Sequence, residues 1–244
     1  MTAEVRVPVL YYHRVAPDAD PRTGVTPKQF SAQMALLGSL GFVGTSLERA
    51  LNWKEGSDTM NRHPLAITFD DGYEDNFTFA APILEGFGFV ATIYFVAGRM
   101  GQTVDWTPDP VWAGHRLMGQ SLARELVGRG FEAGSHTMTH PDLARIPDRE
   151  AWREIRESRD RLSQDLSCPV TTFCYPYGSF RDSHPSMVRE AGYRAARTVR
   201  RYRLRGRSDP FQMACRPVSG RMGLPRFALT LMSYRMGLRG GDLP

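Results

Sequence analysis

The chain has few cysteines: among 244 residues there are three, Cys168, Cys174 and Cys215. An odd number at irregular spacing excludes a disulfide framework, and no Cys-x-x-Cys pair offers a structural zinc site. A reducing compartment suits such a chain, although nothing demands one. Long apolar runs are also missing. No stretch of 18 apolar residues occurs, so no membrane-spanning helix is expected. Met1 to Pro8 lacks the apolar core of a secretory leader. The chain as written is therefore expected in the cytoplasm or peripheral to a membrane, and export would need another route or a leader outside these residues. Internal repeats and low-complexity linkers are absent too, which favours one domain over residues 1–244.

What is present is an ordinary globular composition, 41% hydrophobic, with a formal charge of +5. The basic excess is local. Between Arg189 and Arg207 stand eight arginines (189, 194, 197, 200, 201, 203, 205 and 207) against one acid, Glu190. Such a run reads as a solvated loop and helix face. The alternative is a patch for an anionic glycan, a phosphate-linked lipid carrier or an anionic membrane surface. Nucleic acid is not expected, because only Tyr193 and Tyr202 could stack there and no nucleic-acid-binding motif surrounds them.

Short apolar runs alternate with amphipathic stretches. Strands are expected at 7–12, 65–69, 90–96, 131–135, 170–175 and 195–199. Helices are expected near 27–40, 76–85, 116–128, 147–166 and 185–192. Thr26-Pro27 reads as an N-cap followed by proline at the first helical position. Val90 to Val96 is apolar throughout, as in a strand buried on both faces of a parallel sheet. Leu229 to Met232 reads as a late strand. The repeated strand–helix order predicts an α/β fold with mainly parallel strands. A barrel is the expected closure, because polar residues recur at the C-terminal ends of strands, where barrel active sites collect.

Three of those strand ends carry chemistry. Thr68-Phe69-Asp70-Asp71-Gly72 ends a buried strand with two adjacent carboxylates, which repel each other unless a cation offsets them. Successive strand residues point to opposite sides, so one Asp can bind metal while the other stays free. Alone, the segment could equally be an Asp-Gly turn with a helix cap. His136-Thr137-Met138-Thr139-His140 places two imidazoles at i and i+4, which meet on one face of a helical turn and can share a metal. Its flanks, Gly134-Ser135 and Pro141-Asp142, suggest a compact turn. Phe173 to Gly178 ends in Pro-Tyr-Gly, a turn that leaves backbone N–H groups pointing at a ligand, or serves as a plain loop. Together they offer one Asp and two His as three protein ligands with positions left open, the arrangement of a hydrolytic metal site. The remaining Asp can take a proton from the attacking water, and the turn's N–H can steady an oxyanion.

On these three motifs, in order and spacing, the chain resembles the polysaccharide deacetylases, the family 4 carbohydrate esterases with the nodulation-factor deacetylase homology domain. The likeness covers nearly the whole chain. Leu10-Tyr11-Tyr12-His13-Arg14-Val15 and Val25-Thr26-Pro27 to Phe30 are similar to the branch containing the poly-N-acetylglucosamine deacetylases. The resemblance implies a distorted (β/α) barrel of about seven strands, open at one side to a glycan. It implies Asp70 as catalytic base, Asp71, His136 and His140 as ligands of zinc (Co2+, Ni2+ or Mn2+ as alternatives), and the Tyr177 N–H in an oxyanion hole. It implies N-deacetylation of an N-acetylhexosamine in a polysaccharide, oligosaccharide or lipid-linked glycan.

The chain departs from the family in two places. Cys174 stands where many members have an arginine that orients the base. No histidine follows His184, whereas relatives carry a late Leu-x-His as general acid. His13, after the first strand, is the candidate for a substitute acid, with a structural or substrate-lining role as its alternative. His63, His115 and His184 read as bystanders. Trp106, Trp112, Tyr73 and Tyr177 could form a sugar platform, although Trp112 also suits the core. Two other functions stay open: an amidohydrolase acting on a ureide, imide or formylated amino sugar, and a non-catalytic glycan-binding relative.

Overall fold

A computed structural model of the chain describes residues 7–53, 62–199 and 209–235. In chain order the strands are β1 (Val9–Tyr12), β2 (Arg14–Val15), β3 (Gly24–Val25), β4 (Phe42–Thr45), β5 (His63–Phe69), β6 (Thr92–Phe95), β7 (Glu132–Ser135), β8 (Thr172–Cys174), β9 (Ala195–Thr198), β10 (Met213–Ala214) and β11 (Arg216–Pro217). The α-helices are α1 (Pro27–Ser39), α2 (Leu47–Leu51), α3 (Ala81–Gly86), α4 (Gln120–Gly128), α5 (Asp148–Leu166), α6 (His184–Glu190) and α7 (Leu224–Arg235). Among the described residues no helix is long and apolar enough to cross a membrane.

The main sheet runs β10-β9-β8-β7-β6-β5-β1-β11, with β4 also on β5. Every pairing in it is parallel. β1 takes one edge of β5; β4 and β6 divide the other, β4 along His63–Ala66 and β6 along Thr68–Phe69. β10 and β11 lie at opposite ends of the path, yet only Cys215 separates them in sequence. The two edges therefore meet at Cys215, whose thiol reaches the Thr198 carbonyl at 3.1 Å. The result is the expected distorted (β/α) barrel.

Strand alternation sorts the side chains into two layers. On β5, Leu65, Ile67 and Phe69 pack with Phe30, Met34 and Leu84 beneath the helices. Ala66 instead joins Val9, Leu47 and Cys215 in a second cluster, edged by Tyr11 and Met213. The parity that sends Ala66 and Thr68 toward the barrel axis continues into Asp70. That is how the sequence delivers a carboxylate to the mouth of the barrel.

Local signals hold where they were specific. Thr26 caps α1 in a reciprocal box with Gln29. Elsewhere the structure corrects the reading. Leu229 to Met232 is helix, within α7, and not strand. α4 starts at Gln120, because Arg116 and Leu117 bridge Thr103 and Tyr73 across a hairpin-like loop. The helix expected from Asn76 begins as a five-residue π-turn before α3. The arginine-rich stretch is not one solvated face. Arg197 is wholly buried on β9, while Arg194 pairs with Glu48 at 2.9 Å and Arg189 with Asp209 at 3.8 Å. Arg200, Arg201, Arg203, Arg205 and Arg207 lie outside the described residues.

Candidate active site

Asp71, His136 and His140 converge at the C-terminal ends of β5 and β7. Asp71 and Gly72 both take positive φ, 68° and 74°. A Cβ at Gly72 would stand 2.7 Å from the Phe95 ring, so only glycine completes this turn. The His136 Nδ1 lies 2.8 Å from the Cys174 carbonyl. A carbonyl can only accept, so Nδ1 carries the proton and the Nε2 lone pair is free for a metal. That Nε2 lies 3.5 Å from Asp71 Oδ1, and His140 Nε2 lies 3.3 Å from the same oxygen. The three ligand atoms fall within 4.8 Å of one another, all in buried residues. Asp71 Oδ1 is buried and has no hydrogen-bond partner. A buried carboxylate oxygen facing two imidazole nitrogens, with no hydrogen bond of its own, fits a divalent cation.

The two histidines do not lie on a helical turn. Thr137 and His140 both have positive φ, 68° and 65°, and the loop doubles back on itself. Glu154 of α5 holds it in shape by accepting from Met138 N (2.8 Å), Thr139 N (2.9 Å) and Thr139 Oγ1 (2.7 Å). Sequence reasoning missed Glu154. Its signal, one acid among many on a charged helix, was too weak to read.

Asp70 stands beside this centre, 2% exposed. Its Oδ1 forms an ion pair with the guanidinium of Arg197, and its Oδ2 lies 4.0 Å from His13 Nε2. Arg197 is fully buried, with its guanidinium 5.1 Å from the Tyr11 ring centroid and 4.7 Å from that of Tyr94. Asp70, His136 and Cys174 form a second group of metal-capable atoms. Arg197 already pairs with the carboxylate of that group, whereas Asp71 Oδ1 faces the two imidazoles, so the Asp71 group is the better candidate for a cation. Arg197 was also missed as a site residue, because the run of arginines around it reads as surface.

His13 lies at the mouth as expected, its ring 4.7 Å from Trp112. Burial, with help from Arg197 and His140, lowers its pKa from 6.5 to about 4 against the pull of Asp71. Burial likewise lowers His136 to about 3, reinforced by His140. Burial alone would raise Asp71, but His140, His13 and His136 outweigh it and hold the carboxyl well below the usual range. Tyr177 adopts φ 57° in the Pro-Tyr-Gly turn, and its exposed ring meets His140 edge-on at 4.8 Å. Trp106 stacks on His140 at 4.6 Å. Trp106 and Trp112 both belong to the hairpin-like loop, which is tied to the Asp-Asp-Gly turn by Met118 N to Gly72 O at 2.8 Å. Tyr73 is fully buried and so cannot serve as a sugar platform. His63 is exposed at the start of β5, His115 meets Arg14, and His184 is buried beside Asp148; none of them faces the centre.

The family model for polysaccharide deacetylases matches residues 57–196. YxkH of Bacillus subtilis, assigned to the polysaccharide deacetylases, is 27% identical over 200 residues, 80% of this chain and 64% of that protein. The poly-beta-1,6-N-acetyl-D-glucosamine N-deacetylase of Staphylococcus aureus is 23% identical over 177 residues, 69% of this chain and 58% of that one. The chain thus spans less than two-thirds of the length of these curated relatives. In fold it is similar to a Streptococcus pyogenes deacetylase solved in complex with acetate, with a TM-score of 0.76 at 20% identity over 92% of this chain and 97% of the other.

Proposed function

The chain belongs to the polysaccharide deacetylase family, and from that premise we propose that it hydrolyses the N-acetyl group of an N-acetylhexosamine unit in a polysaccharide, oligosaccharide or lipid-linked glycan. The observation that carries this reading is the orphaned Asp71 oxygen facing His136 and His140, with a second carboxylate, Asp70, alongside. Asp71, His136 and His140 would hold a divalent ion. Two nitrogens and one oxygen suit Zn2+, with Co2+, Ni2+ or Mn2+ as alternatives. When bound, that ion supplies Lewis acidity to the attacking water and the acetyl carbonyl.

The remaining steps belong to the side chains and backbone. Asp70 takes a proton from the attacking water through Oδ2, since Arg197 occupies Oδ1. The Tyr177 N–H donates to the oxygen that becomes negative as the carbonyl carbon turns tetrahedral. His13, uncharged at neutral pH in the free protein, receives the proton from Asp70 and returns it to the departing amine. Acetate and a free amino sugar result. Trp106 and Trp112 offer flat apolar surface on either flank, the kind a pyranose ring covers.

The family resemblance to poly-N-acetylglucosamine deacetylases supports a β-linked glucosamine polymer as substrate. A partner at the Arg189–Arg207 stretch, either anionic membrane or a lipid-linked glycan, belongs to the same proposal; the exposed Arg189 and Arg194 support it. Acetate release from chitooligosaccharides and from poly-N-acetylglucosamine, with and without chelator, tests the reading. Asp70→Asn and His136→Ala should each lower the rate at least about 100-fold. Full activity in either variant, or ring-opening of ureides without acetate release, would overturn it.

A further inference from the structure

We propose that His115, gripped by Arg14, is the positioning residue for Trp112: it sets the indole at the mouth of the barrel and so governs how tightly the glycan binds. The inference rests on the deacetylase reading for its substrate and adds to it a part of the site that holds sugar away from the reacting atoms.

Arg14 is almost wholly buried, and a buried guanidinium is costly unless its donors are matched. Each of its nitrogens has a partner. Nε donates to Asp75 Oδ2 at 2.7 Å, Nη2 to Asp18 Oδ1 at 3.2 Å, and Nη1 meets His115 Nε2 at 3.1 Å. Asp75 is itself fixed, because its Oδ1 accepts from Val15 N at 3.2 Å. Two carboxylates already offset the cation. The third contact reaches 101 residues along the chain, into the loop that carries Trp112.

A guanidinium can only donate, so His115 Nε2 accepts and the neutral ring carries its proton on Nδ1. That proton goes to the Val111 carbonyl. The contacts thus run from β2 through Arg14 and His115 to the residue before Trp112, whose ring lies 4.7 Å from that of His13. The base of the loop is held otherwise, by Glu74 N to Arg116 O at 3.0 Å and Met118 N to Gly72 O at 2.8 Å. Arg99 pairs with Asp105 at 3.1 Å, beside Trp106. His115 does for the Trp112 arm what Arg99 does for the Trp106 arm.

Charging the ring breaks this link. An imidazolium has no lone pair for Nη1 and meets a like charge there. Burial and Arg14 hold the His115 pKa below 6.5, against Asp18 and the Val111 carbonyl. Glu74, Asp75 and Arg116 line the same cavity as His115, and the Tyr73 ring lies 6.3 Å away.

Two variants, His115→Leu and His115→Gln, test this on an N-acetylglucosamine oligomer and on an aryl acetate, which has no sugar ring. His115→Leu should raise KM for the oligomer about tenfold, the cost of ordering one loosened side chain on binding. Its kcat should stay within about threefold, and its aryl acetate hydrolysis within about twofold, of wild type. His115→Gln offers Arg14 an oxygen and Val111 an N–H without ever taking a charge. Its KM should match wild type at about pH 7.5, while at about pH 5 wild-type KM should exceed it at least about threefold. Wild-type KM in folded His115→Leu, or equal losses on both substrates, overturns the inference. Should His115→Leu not fold, the pH comparison decides: a constant ratio of wild-type to His115→Gln KM overturns it, and a rising one supports it. Calorimetric binding of the oligomer to Asp70→Asn protein, with and without His115→Leu, separates this inference from the reading beneath it. Unchanged affinity overturns the inference. Affinity that falls about tenfold supports it even where wild type releases no acetate, a result that would remove the deacetylase reading alone.

Discussion

Gly134→Ala perturbs the site without touching a reacting atom. Gly134 is the register partner of Tyr94 across β6 and β7. A Cβ there would stand 2.4 Å from two atoms of the Tyr94 ring and 3.1 Å from Thr172 Oγ1, where ordinary contact starts at 3.4 Å. The ring must therefore give way by about 1 Å, and it cannot do so freely, being fully buried with Arg197 4.7 Å from its centroid. Overpacking of this kind costs about 1–3 kcal/mol. At about 2 kcal/mol, and about 2–4 °C per kcal/mol for a chain of this size, the melting temperature should fall about 4–8 °C. The displacement travels through Tyr94 to Arg197 and on to Asp70, so kcat should fall about tenfold, less than the loss for direct misplacement of a reacting group. Thermal unfolding of metal-free protein and acetate release read the two effects. Gly128→Ala is the control: nothing lies within 4 Å of its Cβ and it ends α4, so it should leave the melting temperature unchanged or raised. If Gly134→Ala melts within about 1 °C of wild type, the packing argument around Tyr94 is wrong.

Three further predictions follow from the mouth of the barrel. Tyr177→Gly and Tyr177→Ala should keep activity within about tenfold, because the role assigned is that of the backbone N–H; Tyr177→Pro removes that N–H and cannot adopt φ 57°, so acetate release should drop at least about 100-fold, and a side-chain role would reverse this order. His13→Gln should lose about 100-fold on N-acetyl substrates but only a few-fold on an aryl acetate, whose leaving group needs no proton; equal losses would exclude the acid role. The same variant should respond differently to pH. With the folded pKa lowered to about 4 and the ordinary value at 6.5, the unfolded chain takes up a proton that the folded one refuses. Stability on this account is full above 6.5 and falls as pH drops toward 4, by at most about 3 kcal/mol. Metal-free His13→Gln should lose less stability over that window than wild type, and equal slopes would refute the assignment.

The carboxylates and histidines of the site were legible because each motif is local and ends a strand. Strand alternation separated the two carboxylates, and which of them serves as base came from the resemblance to the family; the structure places Asp70 just past β5, in line with Thr68. Asp71 and Gly72 were legible as an Asp-Gly turn, and the structure adds why glycine is required, since Phe95 leaves no space for a Cβ. The histidine pair was found by its spacing but explained by the wrong geometry. Helical periodicity predicted convergence, whereas two left-handed residues and the Glu154 carboxylate produce it. β4, β10 and β11 went unread because strands of two to four residues carry too little alternation to register. Leu229 to Met232 misled because four residues cannot separate a period of two from one of 3.6.

Arg197 shows most clearly what a sequence withholds. In sequence it sits in a run of arginines, and composition assigns the whole run to the surface. What places it inside is non-local. β9 must pair with β8 so that Arg197 stands opposite Cys174, and Cys215 must join the two sheet edges beside it. Tyr11 and Tyr94 must then arrive from strands more than 100 residues earlier in the chain. None of these conditions is written near position 197. Charge runs are read by averaging over neighbours in sequence, while a barrel selects single residues by parity and register. One arginine in such a run can therefore pair with a buried carboxylate while its neighbours Arg189 and Arg194 stay at the surface, and only register pairing tells them apart.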